Sequence, residues 1–370
     1  MPHIRTALHL AESALWLTSP NPRVGCVLVN VQGQIIGQGS TQRAGGPHAE
    51  IVALRDADAQ GLSTEGATAY VTLEPCSHQG RTGPCCDALI HAGIRHVVAS
   101  VQDPNPQVAG QGFARLRAAG VEVTVGPGAA QSRELNLGFF SRMVRKTPWV
   151  RMKAAASLDG ITALPNGQSQ WITGAQARAD GHAWRARACA VLTGIGTVLQ
   201  DKPRLDVRAV DTPRQPTLVV VDSDLQTPPD AALFEPQRSV LIYAANPHPQ
   251  REAALQARGA TVVYLPSALG QASAQPKVDL HAMLRDLAVR EMNEVHVEAG
   301  HKLNGSLLRA GLVDEMLVYL APKWLGNGAG MSNFGPLAQL AEGVALQFGS
   351  VDPLGEDLRV LARVAGRDVF

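Results

Sequence analysis

The chain has 370 residues, 45% of them apolar and 18% charged, with 33 basic against 32 acidic side chains and a formal net charge of +1. That length exceeds one ordinary hydrophobic core and favours two domains, and the composition is that of a packed protein, which excludes a disordered one. Near-neutral charge without runs of like sign leaves no electrostatic footprint for nucleic acid or an anionic membrane, so neither is expected as a partner.

In chain order, the opening "MPHIRTALHLAESALWLTS" places Ile4, Leu8, Ala11 and Leu15 at helical spacing and lacks the continuous apolar stretch of a signal peptide, which predicts an amphipathic helix over about 3–17. A hairpin follows ("VGCVLVN", then "QIIGQGS"). After it come a helix from His48, strand "TAYVTL", a helix from Pro84 to His91, strand "HVVASV", a helix near Gly112 to Ala119 and strand "VEVTV". Strands alternating with helices predict an α/β layer fold with a largely parallel sheet. Pro148 then ends a helical stretch, which sets the predicted boundary: one domain over 1–146 and a second over 147–370. The second half reads "WVRMKAA", a helix from about Gly174, then strands "AVLTG", "TLVVVDS", "SVLIYAA", "TVVYL", "EVHVEAG", "EMLVYLAP", "VALQFGS" and "DLRVLARV". This predicts a second α/β sheet ending in antiparallel strands. The segment "PSALGQASAQPK" is aperiodic and reads as a surface loop. No stretch approaches the roughly 18 apolar residues of a membrane span, and a cytoplasmic location is expected.

Five cysteines, three of them at 76, 85 and 86, do not form a disulfide framework; clustered thiols in a reducing compartment point to metal or catalysis. His48 and Glu50 are two apart, so on a regular helix they diverge, and they converge only where the helix begins and meets a site end-on. Pro47 suits such a first turn, and Pro84 before Cys85 repeats the arrangement. Two helix N-termini then face one point, where their dipoles favour thiolates, and Cys76 just past strand "TAYVTL" supplies a third ligand at the carboxyl end of a strand. His48, Cys76 and Cys85 leave zinc a fourth position for water, with Glu50 as the non-ligand carboxylate that moves the proton, as in zinc nucleobase deaminases. Eight residues separate Cys76 from Cys85, in place of the usual P-C-x-x-C, which argues against a generic cytidine deaminase. A closed structural zinc site with His78 as fourth ligand is the competing reading, and it leaves Glu50 without a purpose. Cys26 and Cys86 read as small buried apolar residues.

The stretches "TSPNPRVGCVLV", "GGPHAEIVAL", "YVTLEPCSHQGRTGPCCDALI" and "DPNPQVAGQG" closely resemble the deaminase domain of the RibD family of bifunctional riboflavin biosynthesis proteins, whose mark is the wide cysteine spacing with "SHxGRTxPC" inserted. The resemblance implies His48, Cys76 and Cys85 as metal ligands and Glu50 as catalytic proton carrier. It also implies Asn21, His78, Asp103 and Asn105 in the pocket for a pyrimidine ribose phosphate, with Arg81 as a candidate phosphate contact through its guanidinium.

The second half holds no dinucleotide fingerprint: "GIGTVLQ" has Leu199 where the third glycine belongs. "SLDGITA", "GQSQWITG", "GIGTVLQDKPRLDVR" and "VEAGHKLNGSLLRAGLVDE" resemble, in order, the reductase domain of the same family, whose fold is like dihydrofolate reductase. The whole is thus expected to be a cytidine-deaminase-like zinc domain followed by a dihydrofolate-reductase-like domain. The resemblance implies NADPH bound by Ala155, Trp171, Thr197, Asp201, Ser223 and the loop of Gly300, His301, Lys302, Leu303, Asn304, Gly305 and Ser306, with Gly300 and Gly305 admitting a phosphate to the backbone at a helix N-terminus. It implies substrate held by Ser169, Arg185, Leu205, Arg208 and Glu298, with Lys153 as a polar partner near the reacting carbon. The function implied is zinc-dependent hydrolytic deamination of a diamino-ribosylamino-pyrimidinone 5′-phosphate, then NADPH reduction of its ribosyl group to ribityl, by a homo-oligomer acting on small molecules. Two rivals are a tRNA-editing type of zinc deaminase with a nucleotide-binding appendage, which should show a basic groove, and a zinc-stabilised binding module without turnover.

Overall fold

The computed structural model describes residues 2–77, 83–106, 108–268 and 275–370. It divides into one compact unit of Met1–Lys146 with Phe370 and a second of Thr147–Val369. The first comprises α1 (Pro2–Ser13), β1 (Gly25–Val29), β2 (Ile35–Ser40), α2 (Ala49–Ala59), β3 (Thr68–Val71), α3 (Cys85–His91), β4 (His96–Ala99), α4 (Gln111–Ala118), β5 (Glu122–Val125), α5 (Ala129–Leu135) and α6 (Leu137–Arg145). Among the described residues its sheet runs β2-β1-β3-β4-β5, antiparallel through β3 and parallel from β3 to β5.

Strand β1 is buried along its whole length because both faces are covered. Cys26 and Leu28 enter a core with α2, α3 and α4, while Val27 and Val29 pack with Ile4 and Ala7 of α1. Helix α1 stops at Ser13, short of the predicted residue 17, because the chain tightens into i→i+3 bonds from Ala14 to Ala11, Leu15 to Glu12 and Leu17 to Ala14. Helix α2 lies unusually close to the hairpin. A Cβ on Gly37 would stand 2.3 Å from the Ala53 carbonyl oxygen, and one on Gly39 2.5 Å from that of Ala49. Glycine on the strand against alanine on the helix thus fixes the distance from which α2 presents its first turn.

The second unit comprises β6 (Trp149–Ser157), β7 (Ile161–Ala163), α7 (Ala175–Arg187), β8 (Ala190–Gly194), α8 (Ile195–Asp201), β9 (Thr217–Val221), β10 (Val240–Ala244), α9 (Pro249–Ala257), β11 (Ala260–Tyr264), α10 (Leu280–Val289), β12 (Glu294–Val297), α11 (His301–Arg309), β13 (Glu315–Ala321), β14 (Ala329–Gly330), β15 (Leu346–Leu354) and β16 (Asp357–Val364). Among the described residues a nine-stranded sheet runs β11-β10-β9-β8-β12-β6-β13-β16-β15. It is parallel from β11 to β13 and closes with the expected antiparallel pair. Alternate residues serve opposite faces: Leu192 and Val219 enter one core with α10 and α11, while Val191, Leu218 and Val220 enter the other with α8 and α9. Strands β7 and β14 pair separately. Of the aperiodic 266–277 segment, Pro266 bridges Val278, and 269–274 lie outside the described residues.

The seam between α2 and β2 generates a prediction. Gly37→Ala must push α2 off its strand and should lower the stability of the first unit by about 1–3 kcal/mol. An unchanged midpoint in denaturant unfolding would show that the seam has room.

Candidate active sites

His48 is the N-cap of α2, in extended conformation, and Cys85 opens α3 immediately after its N-cap Pro84. Cys76 follows the end of β3. The His48 Nδ1 atom lies 3.6 Å from Cys76 Sγ and 3.4 Å from Cys85 Sγ, and the three ligand atoms lie within 4.8 Å of one another. Tetrahedral zinc with ordinary Zn–N and Zn–S bonds separates nitrogen from sulfur by about 3.6 Å, so the donor set fits that ion. The cluster has a charge gradient of its own. Hydrogen bonding from Cys85 pushes Cys76 well below the ordinary thiol range, aided by His48 and by the Cys85 backbone N–H, which donates to its sulfur at 3.3 Å. The Cys85 thiol, as donor to that thiolate, is held high.

Glu50, in the first turn of α2, is only 3% exposed. Burial first, and the Cys76 thiolate second, raise its carboxyl to about 7, which lets it hold or release a proton near neutrality. Asp103, buried after β4, is likewise raised to about 7 by burial; its Oδ1 accepts from the Asn105 backbone N–H at 2.7 Å. Asn21 sits half-buried in the turn before β1. That turn is tied down where the Arg23 N–H donates to Asn136 Oδ1 at 2.7 Å and Arg142 donates to the Pro20 carbonyl. His78 and Arg81 lie outside the described residues. Cys26 and Cys86 are fully buried as expected, and Cys86 donates to the Pro75 carbonyl at 3.1 Å.

The second unit holds a cavity of about 940 Å³ at the carboxyl ends of its parallel strands. Lining it are Ala155, Trp171, Thr197, Asp201, Gly300, His301 and Asn304 of the expected cofactor set, and Ser169, Arg185, Leu205, Arg208 and Glu298 of the expected substrate set, with Lys153. Burial raises the Asp201 carboxyl and the nearby Ser169 hydroxyl opposes that rise, so the two sets adjoin there. Gly300, His301 and Asn304 of the expected cofactor loop reach the cavity wall. Lys302, Leu303, Gly305 and Ser306 continue α11, and Ser223 follows β9, its carbonyl accepting from the Ala245 and Asn246 N–H groups. At Gly305 a Cβ would stand 2.1 Å from the Asn333 carbonyl oxygen, so its smallness serves the packing of that segment on the helix. Gly300 keeps the expected geometry, an N-cap on the cavity wall with its Cβ position open apart from Thr197 Oγ1 at 3.6 Å. An N-terminus with this opening, backed by Asn304 whose buried Oδ1 has no protein partner among the described residues, fits an anionic dinucleotide.

Glu298 is the electrostatic centre of this cavity. Arg185 grips it with two parallel hydrogen bonds, Nε to Oε1 and Nη2 to Oε2, the latter at 2.9 Å; Lys153 Nζ stands 3.8 Å away and His296 Nε2 3.4 Å. Burial would raise the Glu298 carboxyl, but the Arg185 guanidinium and Lys153 outweigh it and hold it well below the carboxylate range.

Two residues carry weight that the sequence reading did not assign. His182 lines the cavity between Arg185 and Arg208; burial and those two guanidiniums push it down to about 4, so it stands as a neutral imidazole accepting the Arg208 backbone N–H at 3.4 Å. Glu74, in "LEPC", is buried at the foot of the metal cluster and accepts four backbone N–H groups. A carboxylate between a strand and a metal-ligand cysteine was the available signal.

The zinc-binding region of cytidine and deoxycytidylate deaminases matches residues 2–101, and the RibD C-terminal domain matches residues 148–360. Fold, metal cluster and cavity together define a two-site enzyme in which a zinc deaminase precedes a reductase. Riboflavin biosynthesis protein RibD of Escherichia coli is 43% identical over 96% of this chain and 97% of its own, and that of Haemophilus influenzae 40% over 96% and 95%. The solved structure of Acinetobacter baumannii RibD superposes with a TM-score of 0.87 at 38% identity, covering 98% of both chains. A deaminase/reductase structure from Thermotoga maritima does so at 0.85 and 31%, again covering 98% of both. The chain belongs to the RibD family and is a bifunctional deaminase and reductase of riboflavin biosynthesis.

The Glu298 cluster makes stability depend on pH. Because its folded-state carboxyl titrates below the ordinary value, its contribution is fully present above about pH 4.5 and is lost as pH falls toward the folded value. Glu298→Gln should therefore cost about 3 kcal/mol at pH 7, where it strands Arg185 and Lys153, and the gap to wild type should narrow below pH 4.5. Parallel denaturation curves across that range would refute the pairing.

Proposed function

We propose that the first unit hydrolyses the 2-amino group of a diamino-ribosylamino-pyrimidinone 5′-phosphate and that the second reduces the ribosyl side chain of the product to ribityl. Residues 1–146 carry the deaminase and 147–370 the NADPH-dependent reductase. The observation that carries the reading is the three-donor cluster with a buried, non-ligating carboxylate beside it: three ligands leave an open position, and a protonatable Glu50 has work to do only if chemistry happens there.

His48, Cys76 and Cys85 would hold zinc, and Ala155, Trp171, Thr197, Asp201, Ser223 and residues 300–306 the dinucleotide. When bound, zinc supplies an acidified water as nucleophile and NADPH supplies reducing equivalents at C1′ of the opened sugar. Glu50 carries a proton on its carboxylate, first to the pyrimidine ring nitrogen and then to the departing amine, and its burial keeps that proton from exchanging with bulk water. Asp103, Asn105 and Asn21 orient the pyrimidine and ribose, and His78 and Arg81 are assigned to the same pocket by the family motif. In the second unit Arg208 faces the substrate phosphate. Ser169, Leu205, Arg185 and Glu298 position the pyrimidine and sugar, with Lys153 near the reacting carbon. Leu205 sits in the left-handed region at φ 52, a conformation held by the loop around it.

We also place the enzyme in the cytoplasm, acting on small molecules without nucleic acid or membrane; no helix among the described residues is long and apolar enough to cross a membrane. A homo-oligomer is supported by the edge strand β15, which exposes Leu346, Phe348 and Val351. A monomer in sedimentation at micromolar concentration would exclude it.

Incubation with the pyrimidinone phosphate, with and without NADPH, followed by product mass, tests the assignment: loss of ammonia without cofactor, and gain of two hydrogens only with it. Cys76→Ala should lose zinc and deamination together. Glu50→Gln should keep one zinc per chain while deamination falls by about two to four powers of ten, and reduction of supplied deaminated substrate is unaffected. Zinc loss in Glu50→Gln would show that carboxylate to be structural.

A further inference from the structure

We propose that Glu74 is the positioning residue that sets the deaminase's substrate-recognition loop against its metal ligands. The loop between β4 and α4 begins at Asp103 and ends in the first turn of α4, and one carboxylate grips both ends. Glu74 Oε2 accepts the Asp103 N–H at 3.1 Å and the Gly110 N–H at 2.9 Å, while Oε1 accepts Gly112 at 2.9 Å and Phe113 at 3.2 Å. Gly110, the N-cap of α4, has no side chain with which to cap the helix, so orphan donors of that first turn are satisfied from the segment that follows β3. The approach is close: a Cβ on Gly112 would stand 2.1 Å from the Pro75 carbonyl oxygen. Glu74 is 3% exposed, and its own N–H donates to the Val101 carbonyl at 2.9 Å.

Two residues after Glu74 comes Cys76, and within the gripped loop come Asp103 and Asn105, joined by their own hydrogen bond. Ligand and recognition groups therefore share one anchor, and the distance between them is set by a carboxylate that touches neither substrate nor metal. A carboxylate suits this role because it offers acceptors on both oxygens; the isosteric amide offers one oxygen and turns an NH₂ donor toward two N–H donors. An outer strap runs the same way: Arg115 of α4 donates to the Ser77 carbonyl at 3.2 Å and pairs with Asp87 of α3 at 2.7 Å.

The inference rests on the reading of Asp103 and Asn105 as substrate contacts, so the test separates the two. In the full-length zinc-loaded enzyme, Glu74→Gln should keep one zinc per chain and reduce supplied deaminated substrate at the wild-type rate. Its KM for deamination should rise about ten- to hundredfold while kcat per bound zinc falls much less. A role confined to holding the ligand strand would instead lower zinc content and leave the KM of the zinc-bound fraction unaltered, which would overturn the proposal. Should Glu74→Gln not fold, Glu74→Asp, which keeps both acceptors on a shorter arm, should show the same KM-selective loss in smaller measure, and an unaltered KM there overturns it equally. Asp103→Asn is run alongside. A raised KM in that variant with an unaltered KM in the Glu74 variant overturns the clamp alone; an unaltered KM in both overturns the loop's assignment to substrate and the clamp with it.

Discussion

Strands covered by helices on both faces have nowhere but their ends to expose polar backbone and polar side chains, and the central strands of both units of this chain are built under that constraint. In the first, β3 delivers Glu74 and Cys76 and β4 delivers Asp103. In the second, β12 delivers Glu298 and Gly300, and β8 the turn that carries Thr197. Groups gathered at an edge have left the ladder that held their strands, so something else must fix them. Helix starts do this for His48 and Cys85, and buried charge does it for the rest.

Three glutamates, two buried and one nearly so, show how far environment alone assigns the work. Glu50 has thiolate and imidazole around it, and its carboxyl, raised chiefly by burial, sits near neutrality, able to trade a proton. Glu298 has Arg185, Lys153 and His296, which keep it ionised and make it a fixed electrostatic post. Glu74 faces four backbone N–H groups and organises a loop. The side chain is the same in each case, and the neighbours decide whether it is a proton carrier, a counter-charge or a clasp.

The order of strands and helices was legible because periodicity is local, and so was the metal cluster, since the helix starts at His48 and Cys85 are each announced by a proline in the preceding residues. The cavity lining was legible only through resemblance; nothing in the spacing of Ser169, Arg185 and Glu298 says that they meet. What stayed hidden is what depends on distant backbone. Glu74 finds its partners 29 to 39 residues further on, and they are N–H groups that any residue carries. Asn136 meets Arg23 across 113 residues. The close approach of the Asn333 carbonyl to Gly305 was hidden for a related reason: a small residue near a helix start looks alike in sequence whatever fills the space beside it.

The glycine–alanine seam between β2 and α2 bears on how such chains diverge. Gly37, Gly39, Ala49, Ala53 and Ala57 leave no volume in which to enlarge any one of them without moving a helix whose first turn carries His48 and Glu50. The opposite side of α2 is unconstrained in this way: Arg55 and Asp58 face solvent. Drift in this element should therefore be one-sided, free in charge and size outside and frozen at one atom of side chain inside. Remote kin whose loops have been rewritten would still carry that silhouette of small residues, a steric signature of the site that contains none of its chemistry.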